Sequence, residues 1–195
     1  MKNNFNDKSF INVDGHVLIK DVNSGEILLD KHNAINYENM SLAIAQLLSN
    51  QTDPLSGLSH FITEMAYGNE GTTIDSVGLI TYKTPNVNDS AGALYNQTYA
   101  KSVTSSTDED NKIEIKAYAL QNYTDIIVTS TLSYSEPDGQ DGIDNATTKT
   151  DFVFDEIGLI NELGSTLTHI IFHPIQKSAN RKIQVVYTLR IKVGV

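Results

Sequence analysis

Histidine and carboxylate side chains carry most of the chemistry open to this chain, and their spacing decides how much of it is possible. His169 and His173 stand four apart. On a helix they would share a face and could grip one metal ion. Here they flank Ile170, Ile171 and Phe172, a run that reads as strand. Four residues of strand span roughly 13 Å, while zinc holds histidine nitrogens at about 2.0–2.1 Å. One ion cannot be held by both along a regular strand, so the pair reads as two ordinary histidines. Asp155 and Glu156 are neighbours on a predicted strand, so alternation sends them to opposite faces. That places them poorly as a paired acid and base.

The remaining candidates are weaker. The loop Asp138-Gly139-Gln140-Asp141-Gly142-Ile143-Asp144-Asn145 offers the oxygen ligands that calcium prefers, but it lacks the EF-hand spacing and the bidentate glutamate. Gly68-Asn69-Glu70-Gly71 opens like a phosphate loop. It has neither the second half of that motif nor its Lys-Ser/Thr end, and it reads as a turn. Asp108-Glu109-Asp110 reads as a solvated loop tip. No Gly-x-Ser-x-Gly nucleophile elbow is present. With no cysteine, the chain has no thiolate nucleophile, thiolate metal site or disulfide. No catalytic, cofactor-binding or metal-ligating residue is assigned, and the expectation is a protein that is not an enzyme.

The elements that must position these residues are mostly strands. Ile183, Val185, Tyr187, Leu189, Ile191 and Val193 alternate with Lys182, Gln184, Thr188, Arg190 and Lys192; Val186 is the one exception. A strict period of two makes a strand with one face on a core and one in water. Upstream, Phe152 to Ile160 and Thr166 to Phe172 read as strands joined by a turn at Asn161–Ser165. Gly164 there can take a positive φ at little cost. His173-Pro174 is expected to stop the second of them, because proline cannot donate to a ladder.

Earlier in the chain, Phe10–Val13 and His16–Val22 lead through Asn23-Ser24-Gly25 to Glu26–Lys31, a hairpin pattern. Phe61–Tyr67, Leu79–Tyr82, Leu94–Val103, Lys112–Tyr118 and Asp125–Tyr134 read as further extended segments. One helix is predicted from about Tyr37 to Ser49, with Asn36 as N-cap. Tyr37, Met40, Ile44, Leu47 and Leu48 form its apolar stripe, read as a lid on one face of a sheet. Residues 1–9 are polar and expected to be loose or ordered by a partner; 136–149 form a long polar loop. The pattern predicts a mainly β chain: one antiparallel β-sandwich or partly closed barrel over residues 1–195, with one amphipathic helix.

Bulk properties narrow the function. The 195 residues carry a formal charge of -10, which disfavours nucleic acid and anionic lipid as partners. Such acidity favours solubility, or docking onto a basic protein surface. No stretch approaches the ~18 apolar residues of a membrane span, and Met1–Lys8 lacks the apolar core of a signal peptide.

Phe154-Asp155-Glu156-Ile157-Gly158-Leu159-Ile160, the turn with Gly164, Leu167 to Lys177 and the alternating strand ending Tyr187-Thr188-Leu189-Arg190-Ile191 together resemble a pattern common in virion structural proteins of tailed bacteriophages. Gly15 to Asp21, Asn33 to Ser41, Glu64 to Asn69 and Leu94 to Tyr99 resemble the same group. The resemblance implies β-sandwiches assembled in symmetric copies on a capsid, at the neck, or along tail and fibre attachments, and it lends no catalytic residue. It sets the functional expectation of a non-enzymatic virion component, assembled in the host cytoplasm. Such a component docks on other particle proteins at the neck or tail-attachment region and forms a symmetric homo-oligomer. Lack of cysteine fits assembly in a reducing cytoplasm. The alternatives are a capsid decoration protein and a carbohydrate-binding or adhesive fibre module, the latter resting on nine tyrosines that could stack on sugars.

Overall fold

A computed structural model describes residues 10–88, 90–104, 107–138 and 152–194. Residues 1–9 and, apart from Asp138, the acidic loop considered for calcium lie outside them. In chain order the elements are β1 (Phe10–Asp21), β2 (Ile27–His32), β3 (Ala34–Ile35), α1 (Tyr37–Ser49), β4 (Ile62–Gly68), β5 (Thr72–Ile74), β6 (Ile80–Tyr82) and β7 (Gln97–Ser102). There follow β8 (Lys112–Ala117), β9 (Tyr123–Leu132), β10 (Val153–Asn161), β11 (Thr166–Gln176) and β12 (Ile183–Gly194).

The alternating strand β12 takes the middle of the first sheet, whose order is β2-β1-β12-β9-β8. It pairs along its length with β1 on one side and β9 on the other, antiparallel in both cases. Its odd-numbered residues from Ile183 to Leu189 are buried, and the even-numbered ones are half-exposed. The second sheet has the order β3-β11-β10-β4-β7, and β5 and β6 form a separate hairpin. Among the described residues no ladder joins the two large sheets, so the sandwich expectation holds and the partly closed barrel does not.

Val17 and Ile19 of β1, with Val185, Tyr187 and Leu189 of β12, face Met65, Tyr67, Ile157, Leu159 and Phe172 of the second sheet in one core. Each such side chain fully removed from water contributes about 1.5–3 kcal/mol before entropy is counted. Tyr67 spans the layers, its hydroxyl donating to Ser130 Oγ at 2.8 Å.

The helix runs over the predicted span. Asn36 caps it, its side chain accepting from the Asn39 amide at 3.0 Å. Asn50 ends it in the left-handed region at φ 51°, a conformation that asparagine tolerates. Its placement differs from the lid expected on a sheet face. Met40 and Ala43 enter the core at one end of the interlayer gap, against Leu167 and Leu189. Tyr37, Leu47 and Leu48 of the predicted stripe are exposed. The gap end accepts only a narrow band of helix, and Asn39 occupies part of that band, its Nδ2 donating to the Thr166 carbonyl at 2.8 Å.

A second correction concerns Pro174, which does not end its strand: β11 continues to Gln176. The β10–β11 ladder shifts register between the pairs Glu156–Ile171 and Phe154–Ile175, and Pro174 falls inside that irregularity, where no ladder amide is required.

Candidate functional site

The same irregularity rearranges the carboxylates. Phe154 and Ile157 both face the core, so the two residues between them both turn to the other side. Asp155 and Glu156 therefore share a face, contrary to strict alternation. Both are buried, under the segment that runs from β4 through β5 and β6 to β7. The Gly71 and Thr72 amides donate to Asp155 at 2.9 and 2.8 Å, and the Thr72 hydroxyl adds a third bond at 2.5 Å. The Asn96 and Tyr95 amides, both at 2.9 Å, donate to the two oxygens of Glu156. The Glu70 amide makes a longer approach of 3.5 Å to the same carboxylate. The turn that opens like a phosphate loop thus does gather an anion, namely the chain's own carboxylates.

His169, with no exposed surface, completes the network. Its Nδ1 accepts from the Asn86 amide at 2.8 Å, and its Nε2 lies 2.9 Å from Glu156 Oε2. The amide on Nδ1 assigns the ring proton to Nε2, which donates to the carboxylate. Burial pushes the Glu156 carboxyl up, but the hydrogen bonds from His169, Asn96 and Tyr95 outweigh it and hold the group below the usual glutamate value. Glycines make the room. A Cβ on Gly68 would stand 2.5 Å from the Asn96 carbonyl, and one on Gly158 would stand 2.8 Å from the Thr168 carbonyl. Every oxygen and nitrogen of this acid–base pair has a protein partner, so the network holds the 69–96 segment onto the sheet and presents nothing to a substrate. His173 is exposed and apart from it, its Nδ1 3.5 Å from the Tyr82 hydroxyl. Among the described residues no group of three or more histidines or carboxylates is placed to hold a metal ion.

The carboxylate–histidine contact could not be read from the turn: continued regularly from the Ile160–Thr166 pair, the ladder would set Gly158 opposite Thr168, and a register shift between Leu159 and Ile160 sets it opposite His169 instead. Glu156 is then one diagonal step from His169 on the same face.

Lys177 is a further buried charge, 1% exposed, with Nζ donating to the Ser178 carbonyl at 3.1 Å. Burial pushes its ammonium down to about 8, opposed by Glu136 and aided by Arg181.

The outer face of the first sheet carries a polar groove of about 420 Å³. Arg190 forks onto Asp125 at 2.7 and 2.8 Å, and the Tyr118 hydroxyl donates to the same carboxylate at 2.9 Å. The Arg190 guanidinium also stacks 4.1 Å over the Tyr123 ring. His16 and His32 line the other side with rings 5.4 Å apart. The hydrogen bond from Arg190 holds the Asp125 carboxyl low, against the opposing effect of burial.

The third place is apolar and wet. A cleft of about 330 Å³ opens at the α1 end of the sandwich between Leu47, Phe61 and Ile115. Of its lining, Leu47 is 54% exposed, Phe61 57% and Ile115 76%. Scattered exposed leucines are ordinary; a contiguous apolar patch on a protein surface marks contact with another molecule.

Comparison with known proteins gives no kinship: no family model matches the chain, and neither a curated protein nor a solved structure does.

Proposed function

We propose that this chain is a non-enzymatic structural component of a tailed-phage virion that docks on other particle proteins, at the neck or tail-attachment region. The observation that carries the docking is the exposed apolar lining of the α1 cleft at Leu47, Phe61 and Ile115. The setting in a virion rests on the resemblance of the C-terminal strands and the N-terminal segments to phage structural proteins. A formal charge of -10 suits a partner that surrounds an apolar patch with lysine and arginine. Weak contacts of this kind become durable when symmetric copies repeat them. The test is composition: peptides of this chain are expected in purified particles at fixed stoichiometry, and L47E and F61E chains, folded normally, are expected to be left out. Infectious particles that lack the chain would overturn the reading.

The polar groove favours a second reading as a carbohydrate-binding fibre module, because Tyr118, Asp125 and Arg190 place an aromatic ring beside charged hydrogen-bonding groups. A glycan array separates the two. Binding that is lost in R190A supports the module, and a flat array leaves docking alone.

A further inference from the structure

The first sheet ends at β8, whose far side is paired with no strand among the described residues. Open strand edges recruit further strands. This one pairs with β9 over six residues without a register shift, and Glu114, Ile115, Lys116 and Ala117 are all exposed. Glu114 and Lys116 project from the outer face, and Ile115 projects on the inner side at the mouth of the α1 cleft beside Phe61. In Lys112-Ile113-Glu114-Ile115-Lys116-Ala117 the charges are antisymmetric about Ile115: Glu114 and Lys116 flank it with opposite signs.

We propose that β8 is a two-fold contact between copies of this chain, pairing antiparallel with β8 of a second copy about Ile115. Charge and exposure together set the register: a centre on Ile113 would also oppose Lys112 and Glu114, but Lys112 and Ile113 are half-buried and Lys112 is held by Glu109, whereas residues 114–117 are exposed. Centred on Ile115, the pairing sets Glu114 opposite Lys116 of the second copy and repeats that pair across the axis. Centred on Glu114, it sets glutamate against glutamate and lysine against lysine; centred on Lys116, it sets lysine against lysine. Opposite charges directly across a ladder stabilise it and like charges oppose it. The Ile115 centre also pairs Ile113 with Ala117 and brings the two exposed Ile115 side chains together on the inner face. The two first sheets then continue as one. This contact is one form of the symmetric assembly proposed above, and it takes only its setting from that reading. Incorporation into particles tests the reading, and mass in solution tests the contact.

The experiment is light scattering on the full chain at low salt, with thermal melts to confirm that each variant is folded. Wild type is expected at twice the chain mass. E114K and K116E place like charges across the axis, and each is expected to run as a monomer, with self-association weakened at least about tenfold. An equimolar mixture of E114K and K116E restores both opposite-charge pairs, as does the double exchange E114K/K116E, and both are expected to return to twice the chain mass. A monomeric wild type, dimeric single variants, a mixture that stays monomeric, or growth into longer polymers through β8 and β2 would each overturn the proposal.

Discussion

The Glu156–His169 network and the α1 rim reverse the usual placement of side chains: the first buries charge, and the second leaves leucine and phenylalanine in water. In the network each polar atom is matched by an amide, a ring nitrogen or a carboxylate oxygen of the same chain. Burial there is tolerable because the partners are complete. At the rim the described residues leave Leu47 and Phe61 more than half exposed. A group satisfied within its own chain does structural work, and a group left unsatisfied marks where another molecule is to come. By this contrast the chemically rich cluster is scaffold and the bland surface is the candidate for function.

The sharpest way to break the contrast is to remove one partner from the network. E156A leaves the His169 ring proton and the amides of Tyr95 and Asn96 unpaired in the interior, so a loss of about 3–5 kcal/mol is expected in chemical denaturation. A loss below about 1 kcal/mol would show that the network is not structural. G68A acts on the same cluster from the backbone side, its new Cβ meeting the Asn96 carbonyl and the Glu156 carboxylate. A loss of about 2–3 kcal/mol is expected by the same measurement.

Acidity and alkalinity probe two of the buried charges, Glu156 and Lys177, with opposite signs. Glu156 has a lowered folded-state pKa. Its contribution is therefore complete above the ordinary glutamate value of about 4.3 and is lost as pH falls through the lower folded value. Melting temperature should drop below about pH 4, and E156Q should show a shallower acid limb. Lys177 behaves the other way. Its ammonium is pushed down to about 8, so the unfolded chain binds the extra proton between about pH 8 and 10 and stability rises across that window. K177M should remove this rise and gain roughly 1 kcal/mol at neutral pH. A variant that melts lower at neutral pH would show that the ammonium is held by more than the Ser178 carbonyl.

The smallest stability effect belongs to the rim. L47E should change stability by less than about 0.5 kcal/mol while abolishing incorporation into particles. Equal loss of stability and incorporation would make the rim part of the fold.

Much of the architecture was legible because it rests on periodicity. β12 displays its alternation openly, since its inner face meets only core and its outer face meets water. α1 carries its own N-cap in Asn36, and its span was readable to the residue. What stayed hidden depends on contacts distant in sequence. Strict alternation separates Asp155 from Glu156, and only the register shift in the β10–β11 ladder brings them together. Pro174 reads as a stop because its missing amide matters in a regular ladder, and this ladder is irregular there. β3 and β5 are two and three residues long, too short for any period. The helix stripe was readable as apolar, but how much of it the sandwich end would accept was not written in the helix. The readable candidates for metal or acid–base chemistry were His169, His173, Asp155 and Glu156. The structure joins three of them in one cluster, and their spacing gave no sign of the amides that occupy it.

The tethering of the 69–96 segment has a consequence for hydrogen exchange. The amides of Gly71, Asn86, Tyr95 and Asn96 are scattered over more than twenty residues, and each ends on Asp155, Glu156 or the histidine that Glu156 holds. They cannot open one at a time without stranding a buried charge. They should therefore exchange at a common rate, as one cooperative unit, even though none of the four belongs to a long strand. Acid weakens that unit first at Glu156, so the four protections should collapse together while the amides of β12 remain closed.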